Sequence, residues 1–165
     1  MRPRPLLFVY GTLKTGFENH RRFCASSTSV GPAWAEGRLY PLPQGYPALV
    51  LPKTALIMLG TADYDIDVWN QAKLREGSQA GSPTESLPQP ERLDRASGEL
   101  LELASPNDLQ ALDALEDFRP GEACSYFRAL IWIEDVSGAR LPAWSYVWPD
   151  ETPPAGEPLP HNRWP

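Results

Sequence analysis

Two places in the sequence combine residue types that do chemistry with a setting that could present them to a substrate. The first is Glu116. Ser105-Pro106-Asn107-Asp108 reads as a helix start. Ser105 is a good N-cap, Pro106 suits the first helical position, and Asp108 has the favourable sign for the helix dipole. Leu109, Leu112 and Leu115 then predict a helix that stops before Pro120-Gly121. At about 100° per residue, with Leu109 as the origin, Leu112 lies at about −60°, Glu116 at about −20° and Asp113 at about +40°. Glu116 thus falls on the axis of the apolar stripe, where periodicity expects a leucine. A carboxylate there either enters a cavity or costs several kcal/mol unpaired. Desolvation would raise its pKa towards neutrality, as a proton-shuttling general base requires. The bland alternative is a helix-end glutamate that snorkels to solvent or pairs with Arg128. Asp113, at the edge of the stripe, is expected to be dispensable for turnover.

The second place is Tyr10-Gly11-Thr12-Leu13. It follows the unbroken apolar run Leu6-Leu7-Phe8-Val9, which reads as a strand buried on both faces. Glycine admits backbone conformations and close approaches that a side chain forbids. A strand ending this way can turn several backbone N–H groups towards one point, a nest suited to a carboxylate. A plain tight turn after the first strand is the other reading.

Further elements must position these two. Thr15 to Phe23 reads as a loop into a short helix ending near Cys24, with Asn19 suited to fixing the loop through its amide. His20 reads as lining a site or as a solvated loop residue. Ala33 to Tyr40 is expected as one strand, and Gln44 to Val50 as a turn leading into another. Leu56 to Gly60 suggests a buried strand. Asp63, Asp65 and Asp67 alternate with apolar residues but lack the glycine and distal glutamate of a calcium loop, so a polar strand or loop face is expected. Residues 75–97 lose all periodicity and read as a flexible surface insertion. Gly98 to Leu103, Tyr126 to Ile133 and Ala143 to Trp148 are expected strands. Residues 149–165 read as a proline-rich tail, packed weakly if at all.

Several of these pieces, in order, resemble the γ-glutamylcyclotransferase-like family, and most of all its γ-glutamylamine branch. They are Val9-Tyr10-Gly11-Thr12-Leu13-Lys14 with Asn19-His20; Gly45-Tyr46-Pro47-Ala48-Leu49; Gly98-Glu99; Leu112-Asp113-Ala114-Leu115-Glu116; Tyr126-Phe127-Arg128; and Ala143 through Tyr146-Val147. The resemblance implies an α+β fold, a small and mostly antiparallel barrel-like sheet with packed helices, over residues 1–148. It implies Glu116 as catalytic base and Tyr10, Gly11, Thr12, Leu13, Tyr46 and Tyr126 as substrate-binding. The implied reaction releases 5-oxoproline and an amine from a γ-glutamyl substrate, with no metal and no cofactor. The family often has glycine after the glutamate, where this chain has Asp117. A non-catalytic binding module with the same pocket is the alternative. A nucleophilic Cys or Ser enzyme is poorly supported, because neither His20 nor His161 stands in a triad context.

Composition bounds these readings. The 165 residues suit one domain with a real core, at 42% hydrophobic and 22% charged. Nineteen prolines point to substantial loop or tail. A net charge of −6 disfavours a nucleic-acid partner, and no apolar run suits a membrane span or a signal peptide, so a cytoplasmic protein is expected. Cys24 and Cys124 have no metal spacing; two reduced thiols or one disulfide are both compatible with the sequence. Oligomeric state is not legible.

Overall fold

A computed structural model describes residues 2–80, 95–150 and 152–165. Strands β1 (Leu6–Val9), β2 (Thr28–Glu36), β6 (Arg95–Glu102), β7 (Phe127–Asp135) and β8 (Arg140–Val147) run in the order β2-β6-β1-β8-β7, and a β2–β7 pairing closes the ring. The β1–β8 pair is parallel and the other pairs are antiparallel, which makes a mixed five-stranded barrel. β5 (Leu56–Leu59) extends the sheet beyond β7, and β3 (Arg38–Pro41) with β4 (Pro47–Val50) forms a separate hairpin. The helices are α1 (Glu18–Phe23), α2 (Tyr64–Ala80) and α3 (Asn107–Leu115). The expected α+β barrel class is the one observed.

β1 is buried on both faces, as its sequence predicts. Leu6 and Phe8 join a cluster with Ala33, Ala35, Ala96, Ala129 and Ala143 inside the barrel, where small side chains suit so few strands. Leu7 and Val9 face the other way and pack with Leu109, Leu112, Val68 and Trp144 beneath the helices. Gly98 permits this arrangement. A Cβ there would lie 2.4 Å from the Val9 carbonyl oxygen and 2.6 Å from the Phe8 ring.

The structure corrects several expectations. The strand expected over 33–40 breaks at Gly37, whose φ is +134° and whose added Cβ would meet the Val50 carbonyl oxygen at 2.4 Å. β5 is an edge strand and not a buried one, with Leu56 and Leu59 exposed. Asp63 to Asp67 is neither strand nor loop face. Asp63 accepts a hydrogen bond from the Ile66 N–H at 3.1 Å and so caps α2, whose first turn carries Asp65 and a buried Asp67. Of the insertion expected over 75–97, residues 75–80 instead continue α2 and 95–97 belong to β6; residues 81–94 lie outside the described residues. α3 begins two residues after Ser105, whose N–H donates to the Asp108 carboxylate at 3.2 Å.

The segment after β8 also packs, contrary to expectation. Asn162 is buried, accepts from the Leu39 N–H at 2.7 Å and donates to the Gly37 carbonyl at 2.7 Å. Leu159 packs on the barrel core, and its N–H bonds the Leu39 carbonyl at 2.7 Å. Backbone groups of β3 that its own hairpin leaves unpaired thus find partners here, which is what buried amides demand. Among the described residues no helix is long and apolar enough to cross a membrane.

Candidate active site

The chain leaves β1 at Tyr10 and turns through Gly11 to Thr15 at one end of the barrel. Other elements fix this turn. The Lys14 N–H closes it on the Gly11 carbonyl at 3.1 Å. The Asn19 amide donates to the Thr12 hydroxyl at 3.0 Å, and His20 Nδ1 lies 2.8 Å from the Leu13 carbonyl oxygen, which requires a proton on Nδ1. Glu99 of β6 accepts from the Thr15 N–H and hydroxyl, both at 2.8 Å, and from the Ser29 hydroxyl at 2.7 Å. Burial alone would raise the Glu99 pKa, but these donors hold it below the ordinary value. His20 is therefore neither a solvated residue nor a site group; it is a clamp on the turn, as is Asn19.

Gly11 stands against Pro47 of β4. A Cβ at Gly11 would lie 2.7 Å from Pro47 Cγ, so only glycine allows this approach. Tyr10 is buried, donates its hydroxyl proton to the Tyr146 carbonyl and accepts from the Leu49 N–H at 3.2 Å. The Tyr126 hydroxyl donates to the Pro47 carbonyl at 2.9 Å. One hairpin thus ties the turn to the mouth of β7.

Glu116 approaches the same space from the end of α3. It is the C-cap residue and not a member of the last turn, which changes the helical-wheel argument while keeping the carboxylate on the inward side. Asp117 follows with φ +57°, the Phe118 N–H returns to the Asp113 carbonyl at 2.8 Å, and Phe118 is buried. This is a Schellman ending with aspartate where glycine is usual. Asp117 pairs with exposed Arg119 at 2.7 Å.

No hydrogen bond or ion pair reaches the Glu116 carboxylate among the described residues, and burial pushes its pKa up to about 7. The proposed pairing with Arg128 does not form. Arg128 is fully buried and bonds Asp113 Oδ1 through Nε at 2.8 Å, Asp67 Oδ2 through an Nη at 3.0 Å and the Thr61 carbonyl at 2.8 Å. Trp144, Tyr64 and Phe118 surround the guanidinium, with ring centroids 4.8, 5.2 and 5.4 Å away. Gly60 leaves room for it, since a Cβ there would fall 2.5 Å from an Nη. Asp113 is accordingly a buried structural anion and not an edge residue, which corrects the wheel.

Gly11, Thr12, Leu13, Tyr46, Glu116 and Tyr126 all line one open cavity of about 830 Å³, with Tyr10 and Tyr146 at its inner end. Burial pushes the Tyr10, Tyr126 and Tyr146 hydroxyls upward, and the Glu116 charge adds to each shift. Trp148, Pro149, Asp150 and residues 152–155 form part of the rim. Cys124 lines the cavity and Cys24 is buried, and the two are not bonded to each other. No group of metal-ligating side chains occurs among the described residues.

Two overlapping stretches, residues 7–76 and 68–165, match the family described as Gamma-glutamyl cyclotransferase, AIG2-like. The chain belongs to this family. No curated protein sequence matches it significantly. Among solved structures the chain superposes on an AIG2-like protein from Mus musculus with a TM-score of 0.56 at 20% identity, covering 92% of this chain and 81% of that one. It superposes on YkqA from Bacillus subtilis with a TM-score of 0.55 at 18% identity, covering 98% of this chain and 39% of that one. An uncharacterized protein from Pyrococcus horikoshii gives 0.52 at 16% identity, covering 96% and 88%. The chain thus spans well under half of the Bacillus protein, and at such identities these likenesses establish the fold alone.

Within this γ-glutamyl cyclotransferase family chain, the structure brings together all seven residues singled out from sequence. Sequence reasoning missed the Asp67–Arg128–Asp113 assembly, the Glu99 clamp and the rim after β8. A signal existed for the first: Asp67 and Asp113 both fall beside apolar residues and Arg128 sits in a mostly apolar strand, so charges of opposite sign were available to pair.

Proposed function

We propose that the chain is a γ-glutamyl cyclotransferase with Glu116 as its proton shuttle. The observation that carries this reading is a half-buried carboxylate, without a partner among the described residues and pushed up to about 7, facing the same cavity as the Gly11–Leu13 turn. The cavity has no lysine or arginine among its described lining residues. A substrate carboxylate would therefore be received by N–H groups of the turn and by hydroxyls such as Thr12.

In the reaction the substrate α-ammonium gives a proton to Glu116, and its nitrogen attacks the γ-carbonyl carbon of the same molecule. A C–N bond forms, closing a five-membered ring, and the C–N bond to the leaving amine breaks. Both protons that the attacking nitrogen loses pass to the leaving nitrogen, so Glu116 ends as it began. A pKa near the working pH suits a group that must both accept and donate. The attacking amine is tethered to its target, so the site need only hold a folded conformer.

The test is release of 5-oxoproline from γ-glutamyl amides by the wild-type protein and by Glu116→Gln. Turnover by wild type and its loss in the variant, with ligand binding kept, is the expected result. Binding without turnover by wild type would make the cavity a receptor and overturn the reading.

A further inference from the structure

The β3–β4 hairpin brings Tyr46 and Pro47 to the cavity, yet its ladder is separate from the barrel sheet. In that ladder Leu39 stands directly opposite Leu49, and the backbone N–H and C=O of both residues find partners outside the hairpin. On the β4 side the Leu49 N–H donates to the Tyr10 hydroxyl at 3.2 Å, and the Leu49 carbonyl accepts from the Trp148 N–H at 2.8 Å. On the β3 side the Leu39 N–H donates to Asn162 Oδ1 and the Leu39 carbonyl accepts from the Leu159 N–H, both at 2.7 Å. One row of hydrogen bonds therefore crosses the hairpin from Asn162 to Tyr10, the residue at which the turn begins. Asn162 is 4% exposed, and its carbonyl accepts from the Ser97 N–H of β6 at 3.1 Å, which fixes it to the barrel as well. Two residues further on, the Trp164 carbonyl accepts from Lys14 Nζ at 2.8 Å, with that ammonium 5.8 Å from the Phe17 ring centroid. Residues 159–164 thus grip both the hairpin behind the turn and the far end of the turn itself.

Resting on the cyclotransferase reading, we propose that residues 159–164 brace the turn that receives the substrate carboxylate, with Asn162 and Lys14 as positioning residues. Neither side chain lines the cavity, so both act through others. Asn162 acts through Leu39 and Leu49 on Tyr10, and through β4 on Pro47, against which Gly11 packs. Lys14 holds the other end of the turn. Donors that converge on one anion must be held to within about 0.5 Å, and a turn of so few residues does not supply that by itself. Glu116 is held differently, because α3 is anchored by Asp113 to Arg128, Tyr64 and Tyr146. The site is then built from two separately anchored halves, one that binds the γ-glutamyl carboxylate and one that moves protons. Loosening the brace weakens binding and leaves the proton shuttle in place.

Asn162 has a φ of +51°, so Asn162→Gly keeps the left-handed backbone while removing both side-chain hydrogen bonds. Lys14→Met keeps the alkyl stem and removes the bond to Trp164, and Lys14→Arg keeps a donor. With a γ-glutamyl amide as substrate, Asn162→Gly and Lys14→Met should each raise KM about threefold to tenfold, the factor of one net hydrogen bond. The kcat should hold, which marks a loss of binding alone, and the midpoint of about 7 in the pH profile should not move. Lys14→Arg should restore KM. A fall in kcat at unchanged KM, or an unchanged KM in either folded variant, overturns the brace. If Asn162→Gly does not fold, Lys14→Met and Lys14→Arg decide. If wild type releases no 5-oxoproline, the cyclotransferase reading fails, and amide hydrogen exchange decides the brace without turnover. Both Asn162→Gly and Lys14→Met should speed exchange at the Leu49 and Lys14 N–H groups and leave the β1–β6 ladder at its wild-type rate. Faster exchange at Leu39 alone in Asn162→Gly, or none in Lys14→Met, overturns it.

Discussion

Asp113 and Glu116 stand three residues apart at the end of one helix, and their carboxylates have opposite environments. Asp113 accepts from Arg128 Nε at 2.8 Å, from the Tyr146 hydroxyl at 2.7 Å and from the Tyr64 hydroxyl at 2.9 Å. Glu116 accepts from no described residue and faces the cavity. The first anchors the helix end to β7 and β8; the second is left chemically available by that anchoring.

Glu116→Gln should lower kcat by about 10²-fold or more, the usual scale of general-base catalysis. Wild-type kcat/KM should rise with pH through a pKa of about 7, as the carboxylate form appears. The profile should be absent from any residual activity of the variant. A near wild-type rate in Glu116→Gln would remove the shuttle.

The same substitution should stabilise the fold in a pH-dependent way. The Glu116 pKa lies at about 7 in the folded chain against 4.5 ordinarily, so between those values the folded state binds more protons than the unfolded one. Wild-type stability from this group therefore falls as pH rises through that window. The advantage of Glu116→Gln should be absent at acid pH and grow to about 3 kcal/mol above neutrality, measured by urea unfolding at several pH values.

Asp113→Asn should be far from silent. It removes one carboxylate from a fully buried guanidinium, and breaking such a pair costs about 3–5 kcal/mol. Urea midpoints should fall accordingly, before any effect on catalysis is considered. A loss below about 1 kcal/mol would mean that Asp67 alone satisfies Arg128.

Asp117→Gly should raise stability by about 1 kcal/mol, because a left-handed backbone strains a residue with a Cβ. The exposed pairing with Arg119 that it gives up offsets little of this. Thermal unfolding of the variant tests the balance, and a lower midpoint would show that the Asp117–Arg119 contact matters more than the backbone.

Gly11→Ala should fold yet bind poorly. Its methyl would sit 2.7 Å from Pro47 Cγ and force the turn and the hairpin apart. A displacement of this kind costs about tenfold to a hundredfold in kcat/KM. Unaltered kinetics would show that the turn does not hold substrate.

Tyr46 and Tyr126 were singled out only through the family resemblance, whereas two other residues of the candidate site each carry a local anomaly. Glu116 interrupts an apolar stripe, and Gly11 ends an apolar strand. What escaped was anything that depends on partners far along the chain. Asp67, Asp113 and Arg128 look like three separate charges until the fold joins them. Gly37 divides one apparent strand in two with a φ of +134°, and the Val50 carbonyl then packs where a Cβ would be. The segment after β8 looks like a tail by composition, yet Asn162 supplies hydrogen bonds that β3 cannot find within its own hairpin.

The pairing of β1 bears on how the protein is made. Its four residues pair with Glu99 to Glu102 and, at Leu7, with Trp144, so every partner emerges from the ribosome long after β1 itself. Contacts so distant along a chain close slowly. The strand that leads into the Tyr10-Gly11-Thr12 turn is synthesised before both partners and must wait, apolar on both sides, for β6 and β8. During that interval the segment most central to the cavity is also the one most in need of shielding from other nascent chains.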